Sequence, residues 1–179
     1  VGHFADQIRD YVGNGGRFGL RVRYSEDGPA PLGTGGAVRR ALPLIGDACF
    51  VLYGDSLIDV SYPAVREALP AGGLGVMTVF RNENSFDRSN VVFQSGRLLR
   101  YSKREATPDM THIDYGLSLL RRAAVERIPA DEPSDLAELY TALVARGEMV
   151  GYEVSERFYE IGSPAGLREA EEFIRRRAA

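Results

Sequence analysis

Cysteine is nearly absent: Cys49 is the single thiol in 179 residues. One thiol supports neither a disulfide framework nor a thiolate metal site, and its place inside an apolar run points to a reducing, cytoplasmic compartment. Histidine is almost as scarce. His3 and His112 stand far apart in no metal-ligand spacing, and no Ser–His arrangement suggests an activated nucleophile. No apolar run approaches the ~18 residues of a membrane span, so no membrane partner is expected. Basic residues never run longer than Arg175-Arg176-Arg177, and the net charge is −3. That trio suits a solvated helix C-terminus, where cations complement the dipole, and nothing calls for nucleic acid. What remains is ordinary: 44% hydrophobic and 26% charged residues. Such a chain can bury roughly 70% of its unfolded surface without staples.

Strand and helix patterns alternate along the sequence. FADQIRDYV (4–12) puts Phe4, Ile8, Tyr11 and Val12 on one helical face before GNGG stops it. LRVRYSED (20–27) alternates like a half-buried strand. GPAPLGTGG reads as a loop leading into a helix over AVRRALPLI. CFVLYG (49–54) is a continuous apolar strand of the parallel, doubly covered kind. YPAVREALP (62–70) is a helix with Pro in its first turn, and GVMTVFRN (75–82) a further apolar strand. Ser95-Gly96 divides SNVVFQSGRLLRYSK (89–103) into a hairpin, and a strand is expected over 112–119. DLAELYTALVARGE (135–148) is a helix capped by Ser134 or Asp135, and VGYEVSERFYEIG (150–162) holds two short strands. SPAGLREAEEFIRRRAA (163–179) closes the chain as a helix, with Ser163 as N-cap and Pro164 following. With no repeat and no linker, residues 1–179 read as one α/β domain.

Four stretches carry candidate chemistry. The first is Gly54-Asp55-Ser56, where an apolar strand ends on a carboxylate. Ligands of open α/β sheets bind beyond strand C-termini, and Mg²⁺ is commonly held by one or two carboxylates plus substrate phosphates. Asp55 either holds such a cation or simply turns the chain. The second, PLGTGGAVRRAL (31–42), matches neither the Walker pattern nor GxGxxG. Its glycines would let backbone amides approach a nucleobase or phosphate, or merely make a turn with Thr34 as N-cap. In the third, Glu160 stands between a strand and a helix, as a second metal ligand or a surface residue. In the fourth, Lys103 ends a hairpin strand and is either solvated or a phosphate clamp.

Taken in order, YSEDGPAPLGTGGAVRRALPLI, FVLYGDSLIDV, SNVVFQSGRLLRYSKR, HIDYGLSLL and RFYEIGSPAGLREAEEFI resemble the sugar-1-phosphate nucleotidyltransferase family over essentially the whole chain. The resemblance implies a Rossmann-like, mostly parallel sheet with helices on both faces and a β-hairpin insertion. It implies a Mg²⁺-dependent reaction joining a sugar 1-phosphate to a nucleoside triphosphate (GTP or UTP), giving an NDP-sugar and pyrophosphate. It places Leu32, Gly33, Thr34, Gly35 and Gly36 at the nucleobase and Asn90, Asp114 and Gly116 near the sugar. Lys103 falls on a phosphate-clamping lysine, and Asp55 and Glu160 fall on the Mg²⁺ ligands. Two positions depart from the family pattern: Ser102 replaces a Glu that recognises sugar hydroxyls, and Glu160 replaces an Asp.

A third departure is the family's G-G-x-G-T-R triphosphate loop and a downstream lysine, for which the sequence shows no counterpart. Val1 reads as the end of a strand. The resemblance therefore implies that these residues are the C-terminal three-quarters of the domain, with two strand–helix units of ~25–30 residues each preceding them. The same gap leaves an alternative: a catalytically incompetent binding or regulatory subunit of the same fold. A nucleotide-sugar glycosyltransferase is a further rival, but Asp55 and Asp59 are spaced too widely for Asp-x-Asp.

Overall fold

The computed structural model describes residues 1–130 and 132–178. The chain divides into two compact units, one of Val1–Asp47 with Arg122–Leu139 and one of Ala48–Arg121 with Tyr140–Ala179. No helix among the described residues is long and apolar enough to cross a membrane.

The first unit is helical. Helix α1 (Ala5–Val12) forms as the spacing predicts, but Phe4, Ile8 and Tyr11 remain well exposed and no residue of the helix is buried. The alternation at 20–27 produces no strand, because a pleated segment needs a ladder partner and finds none here. Isolated bonds hold it instead: Val22 N donates to the Asn14 carbonyl at 2.9 Å and Asp27 N to the Val1 carbonyl at 3.0 Å. Helix α2 (Gly33–Arg40) starts earlier than the sequence suggests, so the glycine run is its first turn rather than a loop before it. The expected helix over 37–45 accordingly breaks, and Leu42–Leu44 form a 3₁₀ turn around Pro43. The short α4 (Arg122–Val125) is tied to that turn by Arg122, whose Nη1 donates to the Leu42 and Ile45 carbonyls at 3.1 and 2.8 Å. Helix α5 (Leu136–Ala145) begins in this unit and continues into the next.

The second unit is built on a six-stranded sheet. Its strands are β1 (Ala48–Leu52), β3 (Gly75–Arg81), β4 (Val91–Gln94), β5 (Arg97–Tyr101), β6 (His112–Arg121) and β7 (Met149–Val154), in the order β1-β6-β3-β7-β5-β4. β1, β3 and β7 share one direction. β6 runs against them between β1 and β3, so direct parallel pairing falls on β3 and β7. The expectation of a doubly covered, parallel-paired strand at 49–54 is therefore corrected. β1 pairs antiparallel with β6, and its five side chains are half-buried or exposed. Burial on both faces falls instead to β3, where residues 75–79 are all buried, and to β6 over residues 117–120. An apolar run reports affinity for a core but does not choose its neighbour, and the ten-residue β6 takes the place beside β1.

Val65 of α3 (Tyr62–Glu67) packs on Val76, Leu117 and Leu119, with Phe50, Ile58 and Tyr152 around them. Ser61 caps α3 by accepting from Ala64 N. The buried hydroxyl of Thr78 donates to the Leu117 carbonyl at 2.7 Å, and Ser118 and Tyr140 bond to each other, so these core polar groups are satisfied. The hairpin forms where expected, with Ser95 and Gly96 both at positive φ as a two-residue hairpin turn demands. A small second sheet pairs β2 (Ser56–Leu57) with β8 (Tyr159–Glu160), and α6 (Pro164–Ala178) follows with Ser163 accepting from Gly166 N at 3.0 Å. The last residue assigned to that helix by the sequence pattern, Ala179, lies outside the described residues. The Arg175-Arg176-Arg177 end of α6 pairs with Glu171, Glu172 and Asp59.

Candidate functional site

A cleft of about 360 Å³ opens in the second unit. Four segments line it: Tyr53 after β1, Asp87 to Asn90 before β4, Ser102 and Lys103 after β5, and Ile113 to Gly116 of β6, closed by Phe158 and Glu160. Five sequence-singled residues thus meet here: Asn90, Lys103, Asp114, Gly116 and Glu160.

Their positions follow from local bonding. Asn90 joins two elements, its N donating to the His112 carbonyl at 2.9 Å and its Oδ1 accepting from Asp114 N at 2.9 Å. Asp114 then turns its own Oδ1 onto Gly116 N at 3.0 Å. Gly116 holds φ +92, a conformation a side chain would strain. Burial pushes the Asp114 carboxyl up, against the pull of the Gly116 bond and of the Lys103 charge. The Lys103 ammonium lies 5.4 Å from the centroid of the Tyr53 ring. Ser102 reaches the cleft, but its Oγ accepts from Arg104 N and Glu105 N, so it caps the chain reversal after β5.

Asp55 is exposed and does not line the cleft; it reaches the site through its neighbour. Its carbonyl accepts from Ile161 N at 2.9 Å, and Ser56 pairs in register with Glu160. Burial, then the charges of Asp55 and Asp87, push the Glu160 carboxyl up. Carboxylates that repel one another at adjacent strand ends suit a divalent cation, and two donors match the sparse protein ligation of Mg²⁺. Among the described residues no group of three or more His, Cys, Asp or Glu side chains is placed to hold a metal ion. Gly166, which sequence reasoning passed over, lets α6 start against Glu160, since a Cβ there would collide with the Glu160 carbonyl.

The glycine-rich stretch belongs to the first unit and is described by itself. Leu32 is buried, and its carbonyl accepts from Ser134 N at 2.9 Å. Gly35 N and Gly36 N both turn to the Ser134 carbonyl. Thr34 is not the N-cap of its own helix. Its Oγ1 donates to Asp135 at 3.0 Å and accepts from Leu136 N at 2.9 Å, so it helps to cap α5, which Asp135 also caps through Ala137 N.

Asp87, Arg88, Tyr115 and Phe158 line the cleft without having been singled out in the sequence. The signal for the first two was the polar stretch NENSFDRSN beside Asn90, dense in turn-forming Asn, Asp and Ser. Tyr115 alternates with Asp114 and Gly116 on β6, yet it too reaches this site, its hydroxyl accepting from Asp59 N at 3.3 Å.

A mixed sheet whose cleft is lined by carboxylates and cations defines an α/β protein with a site suited to a charged ligand. Comparison narrows the class. No family model matches the chain. It is 27% identical over 165 residues to UTP–glucose-1-phosphate uridylyltransferase of Synechocystis sp., covering 82% of this chain and 42% of that one. It is 33% identical over 144 residues to glucose-1-phosphate thymidylyltransferase of Streptomyces griseus, covering 78% and 40%. It is 27% identical over 154 residues to mannose-1-phosphate guanylyltransferase catalytic subunit beta of Xenopus tropicalis, covering 83% and 42%. The chain spans about two fifths of the length of these curated relatives. Among solved structures, HddC from Yersinia pseudotuberculosis complexed with GMP-PN superposes with a TM-score of 0.78 at 20% identity, over 97% of this chain and 76% of that one. The inositol-1-phosphate CTP transferase of T. maritima superposes with a TM-score of 0.71 at 17% identity, over 93% and 69%. The chain's curated homologues are sugar-1-phosphate nucleotidyltransferases, and its fold is that of the nucleotide-diphospho-sugar transferases.

Proposed function

We propose that this chain forms the sugar-phosphate side of a nucleotidyltransferase, which joins a sugar 1-phosphate to a nucleoside triphosphate, GTP or UTP, and releases pyrophosphate. The observation that carries this reading is the cleft itself, which gathers Lys103, Asp114 and Glu160 at the carboxyl ends of β1 and β3. The sugar phosphate oxygen is an anion at neutral pH and needs no general base, which agrees with a cleft that no histidine lines.

The work left to the protein is positioning two polyanions and balancing their charge. On this reading the Lys103 ammonium binds the phosphate of the sugar, and Asp114 accepts from sugar hydroxyls beside Gly116. Asn90 holds Asp114 in place through the Asp114 amide. Asp55 and Glu160 would hold Mg²⁺, which when bound supplies charge neutralisation between the two phosphate groups. Leu32 to Gly36 would face the nucleobase. A reducing, cytoplasmic setting suits the free Cys49, whose thiol is pushed up by burial and so kept unreactive.

The test is a pyrophosphate-release screen of the full-length protein over nucleoside triphosphates and sugar 1-phosphates, with and without Mg²⁺. Release that requires both substrates and the metal is the expected result. Free nucleoside diphosphate from an NDP-sugar would instead make the protein a glycosyltransferase and end this reading.

A further inference from the structure

Arg157 does not line the cleft, yet its side chain spans two segments that do. Its guanidinium carbon lies 4.0 Å from the centroid of the Phe86 ring and 4.5 Å from that of Tyr159. Nη2 donates to Glu169 of α6 at 2.8 Å, and Nε donates to the Phe158 carbonyl at 3.2 Å. Phe86 sits in the turn between β3 and β4, whose next four residues, Asp87 to Asn90, line one wall of the cleft. Tyr159 stands between Phe158 and Glu160, which line the cleft as well.

The turn is well wired internally. Asn82 donates to the Asp87 carbonyl at 2.6 Å and to Ser89 Oγ at 3.1 Å, and Asn84 accepts from Ser89 N at 2.9 Å. Its two ends are fixed to the 111–112 backbone, Asn82 N and Glu83 N donating to the Thr111 carbonyl and Asn90 N to the His112 carbonyl, so what matters is how its tip is attached to β8. No β-ladder joins it to β8 among the described residues, where β8 pairs with β2. Phe86 is 49% exposed, with Phe80 as a more distant ring neighbour at 6.1 Å. On the other side the anchorage is firm: Tyr159 stacks on Phe173 of α6 with centroids 4.5 Å apart.

A single exposed cation–π pair would count for little. A planar guanidinium over two rings, and fixed by a carboxylate and a carbonyl, is a different object, because its orientation is already set. We propose that Arg157 is a positioning residue, a clasp that fastens the 82–90 turn to β8 and sets the width of the cleft for a sugar 1-phosphate. The ligand in that statement rests on the function proposed above; the clasp does not.

The experiment compares the full-length protein with Arg157→Ala, Arg157→Lys, Phe86→Leu and the variant carrying both Arg157→Ala and Phe86→Leu. Amide hydrogen exchange is read without ligand, and steady-state kinetics are run with glucose 1-phosphate and mannose 1-phosphate. In Arg157→Ala, exchange at residues 83–90 should quicken about tenfold, and KM for the sugar phosphate should rise by a similar factor. KM for the triphosphate, kcat and exchange in β3 and β6 should stay within about twofold, the additivity limit for distant sites. Lysine keeps the charge but not the planar group over the rings, so Arg157→Lys should behave like the alanine variant. Phe86→Leu should add nothing on top of Arg157→Ala. Unchanged exchange and KM in Arg157→Ala would overturn the clasp. Full rescue by lysine would also overturn it, since charge alone would then be the agent. If the wild type turns over no sugar phosphate, the reaction reading fails by itself, and exchange at 83–90 still upholds or overturns the clasp.

Discussion

The glycine-rich first turn of α2 and the cleft of the sheet-bearing unit are assembled from opposite materials. At α2 the determining feature is side chains left out. A Cβ on Gly33 would stand 2.5 Å from the Ser134 carbonyl oxygen, and φ there is +69. A Cβ on Gly35 would stand 2.8 Å from Ser134 Oγ, and on Gly36 2.8 Å from Leu32 Cβ. The glycines thus admit the 132–135 backbone, whatever ligand they also meet. The cleft instead gathers charged side chains from distant segments, and its own glycine is under no such pressure. A Cβ on Gly116 would meet nothing nearer than 3.5 Å, so its requirement is φ alone. Substitutions in the first region should therefore register as lost stability, and those in the second as lost chemistry.

The largest expected effect tests the chemical half. Asp55→Ala should lower pyrophosphate release about a thousandfold, the scale of losing a metal ligand, with the melting temperature nearly unchanged. A large fall in melting temperature with activity retained would break the contrast. Next, Gly33→Ala should destabilise by about 2–4 kcal/mol through positive-φ strain plus overpacking against Ser134, read by urea denaturation. If it folds normally and only nucleotide affinity drops, α2 belongs with the cleft rather than against it.

Asp114→Asn sharpens the comparison through pH. Burial raises the Asp114 pKa in the folded state, so the native protein binds the extra proton and the charged carboxylate weighs against folding above that pKa. At neutral pH the Asn variant should match or exceed wild-type stability. The gap should close as pH falls through the raised pKa toward the ordinary carboxylate value. Affinity for the sugar phosphate should meanwhile fall about tenfold, as for loss of a charged hydrogen-bond acceptor. The smallest effect is Thr34→Val, which leaves Leu136 N uncapped and should cost about 1 kcal/mol, with Thr34→Ser restoring it. Thermal melts of the pair decide whether that hydroxyl serves the fold.

Local chemistry was legible wherever one element's own residues settled the matter. Ser95-Gly96 announces its hairpin and Ser163 its cap. Asn90, Lys103, Asp114, Gly116 and Glu160 were singled out in advance and meet around one cleft. The alternation at 20–27 misled because the period of a strand says nothing about whether a partner is at hand. α1 forms as its spacing predicts, yet Tyr11 on its apolar stripe is 68% exposed, since periodicity fixes a face and not what covers it.

Turn residues and periodicity by themselves determined most of the alternation of strands and helices, and the hairpin. These depend on backbone sterics and near-neighbour spacing, which are written into short stretches of chain. Only the tertiary structure decided that β6 would lie between β1 and β3, and that Gly35 and Gly36 would spend their amides on Ser134. It alone brought Asp87 and Arg88 onto the cleft wall and aligned Phe86, Arg157 and Tyr159. Each of these joins residues far apart in sequence, and long-range contacts are selected by packing and by the satisfaction of buried polar groups across the whole unit.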